Sequence, residues 1–186
     1  MIPLEELFQR AIEVVEKAKI RYMVYGGIAL PAWGDVITTQ DVDLLVQVDE
    51  AEAERLIAAY REGGFRLPDD AEALFPIDTW TRASLGGRDV DIAWGATEFD
   101  QAALNRAVKV ELYARQVPIA SAEDLILYKL AAHRRKDLAH VEDIIVRQGA
   151  RLDTGYLRSW AQRIASATGK FEIPGTLERM LGEQGL

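Results

Sequence analysis

The chain has 186 residues, no cysteine, and 30 Asp and Glu against 22 Lys and Arg, a formal charge of −8. That length fits one domain, or one catalytic domain with a helical extension, and buries a core without disulfides; the lack of cysteine agrees with a cytoplasmic setting. The charge excludes a protein whose whole surface binds nucleic acid, no apolar run reaches the roughly 18 residues that span a bilayer, and the acidic, helix-periodic start MIPLEELFQRAIEVV is not a secretory signal.

Residues 3–18 place Leu4, Leu7, Phe8, Ile12 and Val15 at helical spacing and predict an amphipathic helix. The run Tyr22-Met23-Val24-Tyr25 predicts a short buried strand that stops at Gly26-Gly27, with a short helix over 28–33 starting directly from the glycines. Asp41 to Val48 alternates and then turns wholly apolar, which predicts the next strand, and residues 50–62 predict a charged helix ended by Gly63-Gly64. Two further strands, Thr79 to Leu85 and Arg88 to Trp94, flank Gly86-Gly87, which supplies the positive φ angles of a tight hairpin. Val108 to Tyr113 predicts one more strand. From Ser121 onward the pattern is helical. Ser121 caps a helix with Glu123 and Asp124 in its first turn, and more helices follow at 137–148, 153–167 and 175–183. The expected architecture is an α/β half with a mixed sheet followed by a helical half.

The chemistry concentrates in Gly26-Gly27, a spacer over 28–40, and Asp41-Val42-Asp43-Leu44. On a strand Asp41 and Asp43 point to one side, about 7 Å apart, and such carboxylates repel unless a cation lies between them. Hard divalent cations take carboxylate oxygens together with substrate phosphates. A glycine pair ahead of a helix lets backbone N–H groups approach a phosphate closely. A third carboxylate would complete a two-metal site. The hairpin offers Asp89 and Asp91; Asp91, deeper in the apolar run, is the better candidate, and Asp89 reads as solvent-facing.

The pattern of an apolar residue, Gly-Gly, a spacer, Asp-Val-Asp-Leu and a later strand Asp resembles the nucleotidyltransferase superfamily with the DNA polymerase beta-like fold. The segment SAEDLILYKLAAHRRKDLAHVEDI resembles the branch of AbiEii-type toxins and their relatives. The resemblance implies a mixed sheet with flanking helices, a catalytic domain over 1–118 and a helical region over 119–186. It further implies magnesium or manganese in a two-metal site on Asp41, Asp43 and Asp91, and a nucleotide site of Gly26, Gly27, Thr39, Lys129 and Asp137. The implied reaction moves a nucleoside monophosphate from a nucleoside triphosphate to an acceptor hydroxyl and releases pyrophosphate. Two positions depart from the family pattern. Ile37 stands where relatives carry Arg, and His140 where they carry a second Asp. These departures motivate the alternative of a catalytically silent binding module, for instance in a toxin–antitoxin pair with a cognate antitoxin.

Lys129 lies in an apolar helix, where an interior lysine must snorkel or find an anion. His133 and His140 are too few for a zinc site without cysteine. Trp33, Trp80, Trp94 and Trp160 read as packing residues rather than a stacking platform. The acceptor stays open between an RNA end, a small alcohol and a protein side chain. Residues 1–100 hold 9 basic and 20 acidic side chains and residues 101–186 hold 13 and 10. An RNA acceptor is therefore expected on the helical half, at Arg134, Arg135 and Lys136 with Arg147 and Arg151 beside them.

Overall fold

The computed structural model describes residues 1–34, 39–71 and 79–186. Its contacts divide the chain into two compact units, one gathering Met1–Ile28 and Thr38–Ile119, the other Ala29–Ile37 and Ala120–Leu186.

The first unit is a six-stranded mixed sheet with helices. Helix α1 (Leu4–Lys17) turns Leu7, Phe8, Ala11, Ile12, Val14 and Val15 inward, the stripe that the sequence spacing predicts. Strand β1 (Arg21–Tyr25) leads into the glycine turn and β2 (Val42–Gln47) follows. Helix α2 (Glu50–Glu62) starts in a capping box: Asp49 accepts from the Glu52 N–H at 2.8 Å, and Glu52 accepts from the Asp49 N–H at 3.2 Å. Strands β3 (Trp80–Leu85) and β4 (Arg88–Trp94) form the hairpin, with Gly86 at φ +58° and Gly87 at φ +81°. Helix α3 (Glu98–Arg106), β5 (Val108–Leu112) and β6 (Arg115–Ile119) complete the unit. The strand order is β3-β4-β2-β1-β6-β5. Strand β1 runs antiparallel to β2, and β2 runs parallel to β4. In β2 the residues Val42, Leu44, Leu45 and Val46 are at most 2% exposed, so this strand is covered on both faces. Asp43 is the half-buried exception among them.

The second unit holds α4 (Ala122–Ala132), α5 (Arg135–Gln148), α6 (Thr154–Thr168) and α7 (Glu172–Gly182). Ser121 caps α4 by accepting from the Asp124 N–H. Among the described residues the same unit includes two 3₁₀ turns, Leu30–Ala32 and Gly149–Arg151. The helix expected over 28–33 is thus reduced to one turn, because Pro31 removes an N–H donor that an α-helix would need beyond its first turn. Helix α3 and strand β6 are additions to the expected elements. Among the described residues no helix is long and apolar enough to cross a membrane.

Candidate active site

The sheet builds the acidic center. Because β2 and β4 are parallel neighbours, Asp43 lies directly across from Asp91, and Val42 across from Val90. Neighbouring strands are about 4.8 Å apart, so the two carboxylates share one face at adjacent positions. Asp41 precedes Asp43 by two residues, at the entrance to β2. Burial raises the Asp41 carboxyl above its ordinary value, and the charges of Asp91 and Asp89 raise it further against the opposing pull of Arg82 and Arg88. Desolvation comes first, and the nearby like charges add to it.

Each carboxylate is held differently. Asp43 turns toward the glycine pair, where its Oδ2 accepts from the Gly27 N–H at 3.3 Å. Gly26 has φ +66°, and a Cβ placed there would sit 2.1 Å from that same oxygen. Glycine is required twice over, by backbone conformation and by the approach of the carboxylate. The Gly27 N–H that the sequence offers to a phosphate is directed at Asp43. Asp91 is gripped by Arg82, directly across the hairpin. Arg82 Nε donates to Oδ1 at 2.7 Å and Nη2 to Oδ2 at 3.0 Å, while Nη1 lies 3.6 Å from Asp89 Oδ2. Asp89 also accepts from Ser84 Oγ at 2.7 Å and is more than the solvent-facing carboxylate expected.

Neighbouring groups fix the approach to β2. Thr39 Oγ1 donates to the Asp41 carbonyl at 3.3 Å, and Arg88 donates to the carbonyls of Gln40 at 3.1 Å and Ile2 at 2.7 Å. Tyr25, opposite Asp43 in register, keeps its phenol proton well above the ordinary range, chiefly through burial and then through Asp43, Asp100 and Asp91. Ile37 lies outside the described residues. Trp80 is 49% exposed, so it is not the packing residue expected; the Arg82 guanidinium stands 5.3 Å from its ring center.

Arg82, Arg88 and Tyr25 were not singled out by the sequence. The signal for Arg82 was present: a two-residue turn at Gly86-Gly87 pairs Leu85 with Arg88 and therefore Arg82 with Asp91.

The carboxylates supply oxygen donors of the kind magnesium takes. As they stand they do not close around an ion. Among the described residues no group of three His, Cys, Asp or Glu side chains is placed to hold a metal, and both oxygens of Asp91 serve Arg82. The donor chemistry fits a metal held by one or two carboxylates together with substrate phosphates, and at Asp91 Arg82 occupies those donors.

In the second unit, Lys129 and Asp137 come together. Both are buried, Asp137 to 1% exposure, with Lys129 Nζ 3.4 Å from Asp137 Oδ1. Lys129 thus finds an anion instead of snorkelling. Arg134 Nε donates to Asp137 Oδ2 at 2.5 Å. Burial pushes the Asp137 carboxyl upward, but the Arg134 hydrogen bond and the Lys129 charge outweigh it and hold the group below its ordinary value. His140 Nδ1 is 3.3 Å from Lys129 Nζ, and burial followed by the Lys129 charge pushes the imidazole down. In the neutral tautomer that leaves Nδ1 unprotonated, the ring accepts from the Lys129 ammonium. Arg134 is the residue before α5, and Arg135 and Lys136 lie in its first turn.

The fold and the sequence agree with known proteins. The solution structure of the antibiotic-resistance factor ANT(2'')-Ia matches with a TM-score of 0.66 at 16% identity, covering 90% of this chain and 96% of that one. The crystal structure of ANT(2'')-Ia with adenylyl-2''-tobramycin matches with a TM-score of 0.60 at 18% identity, covering 88% and 97%. The lincomycin-bound lincosamide antibiotic adenylyltransferase LnuA matches at 0.53 and 15%, covering 77% and 96%. At these identities the likeness is one of fold. None of the curated proteins matches the sequence. The model of the family described as nucleotidyltransferase of unknown function (DUF6036) matches residues 3–169. Carrying the paired strand carboxylates and matching that model over most of its length, the chain belongs to this nucleotidyltransferase family.

Proposed function

We infer that the chain transfers a nucleoside monophosphate from a nucleoside triphosphate to a small, hydroxyl-bearing acceptor and releases pyrophosphate. The observation that carries the reading is the register of Asp43 against Asp91 on parallel β2 and β4, with Asp41 two residues before. Asp41, Asp43 and Asp91 would hold magnesium, which when bound supplies charge neutralisation along the line of phosphoryl displacement. Asp91 would stand nearest the attacking hydroxyl and accept its proton. Gly26 and Gly27 fix Asp43 and leave the turn clear of side chains for an approaching phosphate. Thr39 and Arg88 hold the chain that delivers Asp41. Lys129 and Asp137 are the pair that the family pattern associates with the nucleotide, and their mutual burial supports a fixed geometry for both.

The fold neighbours name hydroxyl-bearing antibiotics, tobramycin and lincomycin, as their ligands, which supports a small alcohol over RNA. Against RNA stands the engagement of Arg134 with Asp137. The silent-module alternative, with its antitoxin and AbiEii-type kinship, loses one motive at His140, which preserves an acceptor for Lys129.

The test is to incubate the protein and magnesium with nucleoside triphosphates labelled at the α-phosphate, presenting aminoglycosides, lincosamides, RNA and protein as separate acceptors. Label on a small alcohol with stoichiometric pyrophosphate supports the reading. Label confined to RNA or protein overturns the choice of acceptor, and no label on any acceptor overturns the transfer.

A further inference from the structure

Arg82 sits where the proposed reaction needs a metal. Its guanidinium takes both oxygens of Asp91 and stands 3.6 Å from Asp89, and Asp41 contributes to raising its basicity along with those two. Arg82 thus faces three carboxylates, with Arg88 also acting on Asp41, and with Asp43 beside them the face keeps a surplus of negative charge. The side chain is 46% exposed, so it can leave Asp91 without opening the core. Trp80 and Arg82 lie two residues apart on β3, on one face, and the ring at 5.3 Å offers a resting surface for a guanidinium that has left Asp91. A planar guanidinium with five donors matches a phosphate as well as it matches a carboxylate.

We propose that Arg82 is a built-in counter-ion which competes with the divalent metal for Asp91, so that the metal binds well only together with a nucleotide whose phosphates take over Arg82. The proposal rests on the assignment of Asp41, Asp43 and Asp91 as metal ligands. Metal alone must break the Arg82 fork and leave the guanidinium facing a second cation. Metal with nucleoside triphosphate exchanges one anionic partner of Arg82 for another. Arg82 is a positioning residue under this scheme, and its effect is a thermodynamic coupling between two ligands, reciprocal by necessity.

The experiment uses Mn²⁺ as the probe, its binding followed by water-proton relaxation with and without a non-hydrolysable ATP analogue. The wild type is expected to bind Mn²⁺ weakly alone and more tightly with the analogue. R82Q should bind Mn²⁺ alone about two- to fivefold more tightly, the range expected for release of one partly exposed ion pair, and the enhancement by the analogue should shrink by the same factor. R82K, which keeps the charge but not the fork, should fall between. A D43N variant separates the two layers of the claim. If D43N loses analogue-dependent Mn²⁺ binding while R82Q binds Mn²⁺ alone no better than wild type, the metal site stands and the counter-ion role of Arg82 is overturned. If wild type with the analogue binds no more Mn²⁺ than the analogue does by itself, the metal assignment fails and the role of Arg82 falls with it.

Discussion

Substituting Gly26 by alanine perturbs the center without removing any of its charged groups. The backbone at φ +66° costs a residue with a Cβ about 1–2 kcal/mol. The new methyl would meet Asp43 Oδ2 at 2.1 Å and Cγ at 2.4 Å, so the carboxylate must move, with an overpacking cost of about 1–3 kcal/mol. Together these predict a loss of about 2–5 kcal/mol in urea unfolding, along with loss of transfer activity because Asp43 is displaced. The two components separate in a double-mutant cycle. With Asp43→Ala already present, only its Cβ, 2.8 Å from the new methyl, remains in the way. Gly26→Ala should then cost less than in the wild-type background, because only the backbone strain and that one close contact remain. An equal cost in both backgrounds would refute the claim that the glycine exists to seat the carboxylate.

Lys129→Met should destabilise by about 3 kcal/mol, the lower end for breaking a buried pair, since Arg134 still serves Asp137; a thermal shift near zero would show that the pair is not held as described. The depressed Asp137 carboxyl contributes stability at neutral pH that is lost as pH falls through its folded value, because the unfolded chain takes up the proton first. Urea midpoints measured from roughly pH 5 to pH 3 should accordingly fall less steeply in Asp137→Asn than in wild type, and parallel curves would contradict the sign. Reversing Arg135 and Lys136 to Glu, which spares the Arg134 contact to Asp137, should leave small-acceptor modification unchanged. Label on RNA in the wild type that this reversal abolishes at low salt would instead return RNA as the acceptor.

Much of the site was legible before any coordinates. Period-two alternation predicts Asp41 and Asp43 on one side of a strand, whereas β2 begins at Val42 and leaves Asp41 just before it; Gly86-Gly87 ended β3 and began β4 where the structure does. The carboxylates' partners were harder to read, because they come from other strands. The register of Asp43 against Asp91 needs the parallel pairing of β2 with β4, which no local pattern fixes. Strand β6 escaped notice because Pro118 argues against a strand; it pairs with β5 along its length and with β1 at Val24. Helix α3 carries only Phe99, Ala103 and Leu104 as apolar buried residues, too sparse a stripe to stand out, although the Thr97 and Asp100 capping box marks its start. Lys129 could be seen as an interior lysine, but its anion lies eight residues on, beyond a chain reversal at the left-handed His133.

The most direct test of the central claim compares wild type with Asp41→Asn and Asp91→Asn in magnesium-dependent pyrophosphate release, with nucleoside triphosphate and a hydroxyl-bearing acceptor, alongside the melting temperature of each variant. Wild type is expected to turn over only with the metal and acceptor present. Both variants should lose turnover by several orders of magnitude, and Asp41→Asn should melt no lower than wild type, since it relieves like-charge repulsion at Asp91 and Asp89. Wild-type turnover in either folded variant, or equal turnover after the metal is chelated, would contradict that claim.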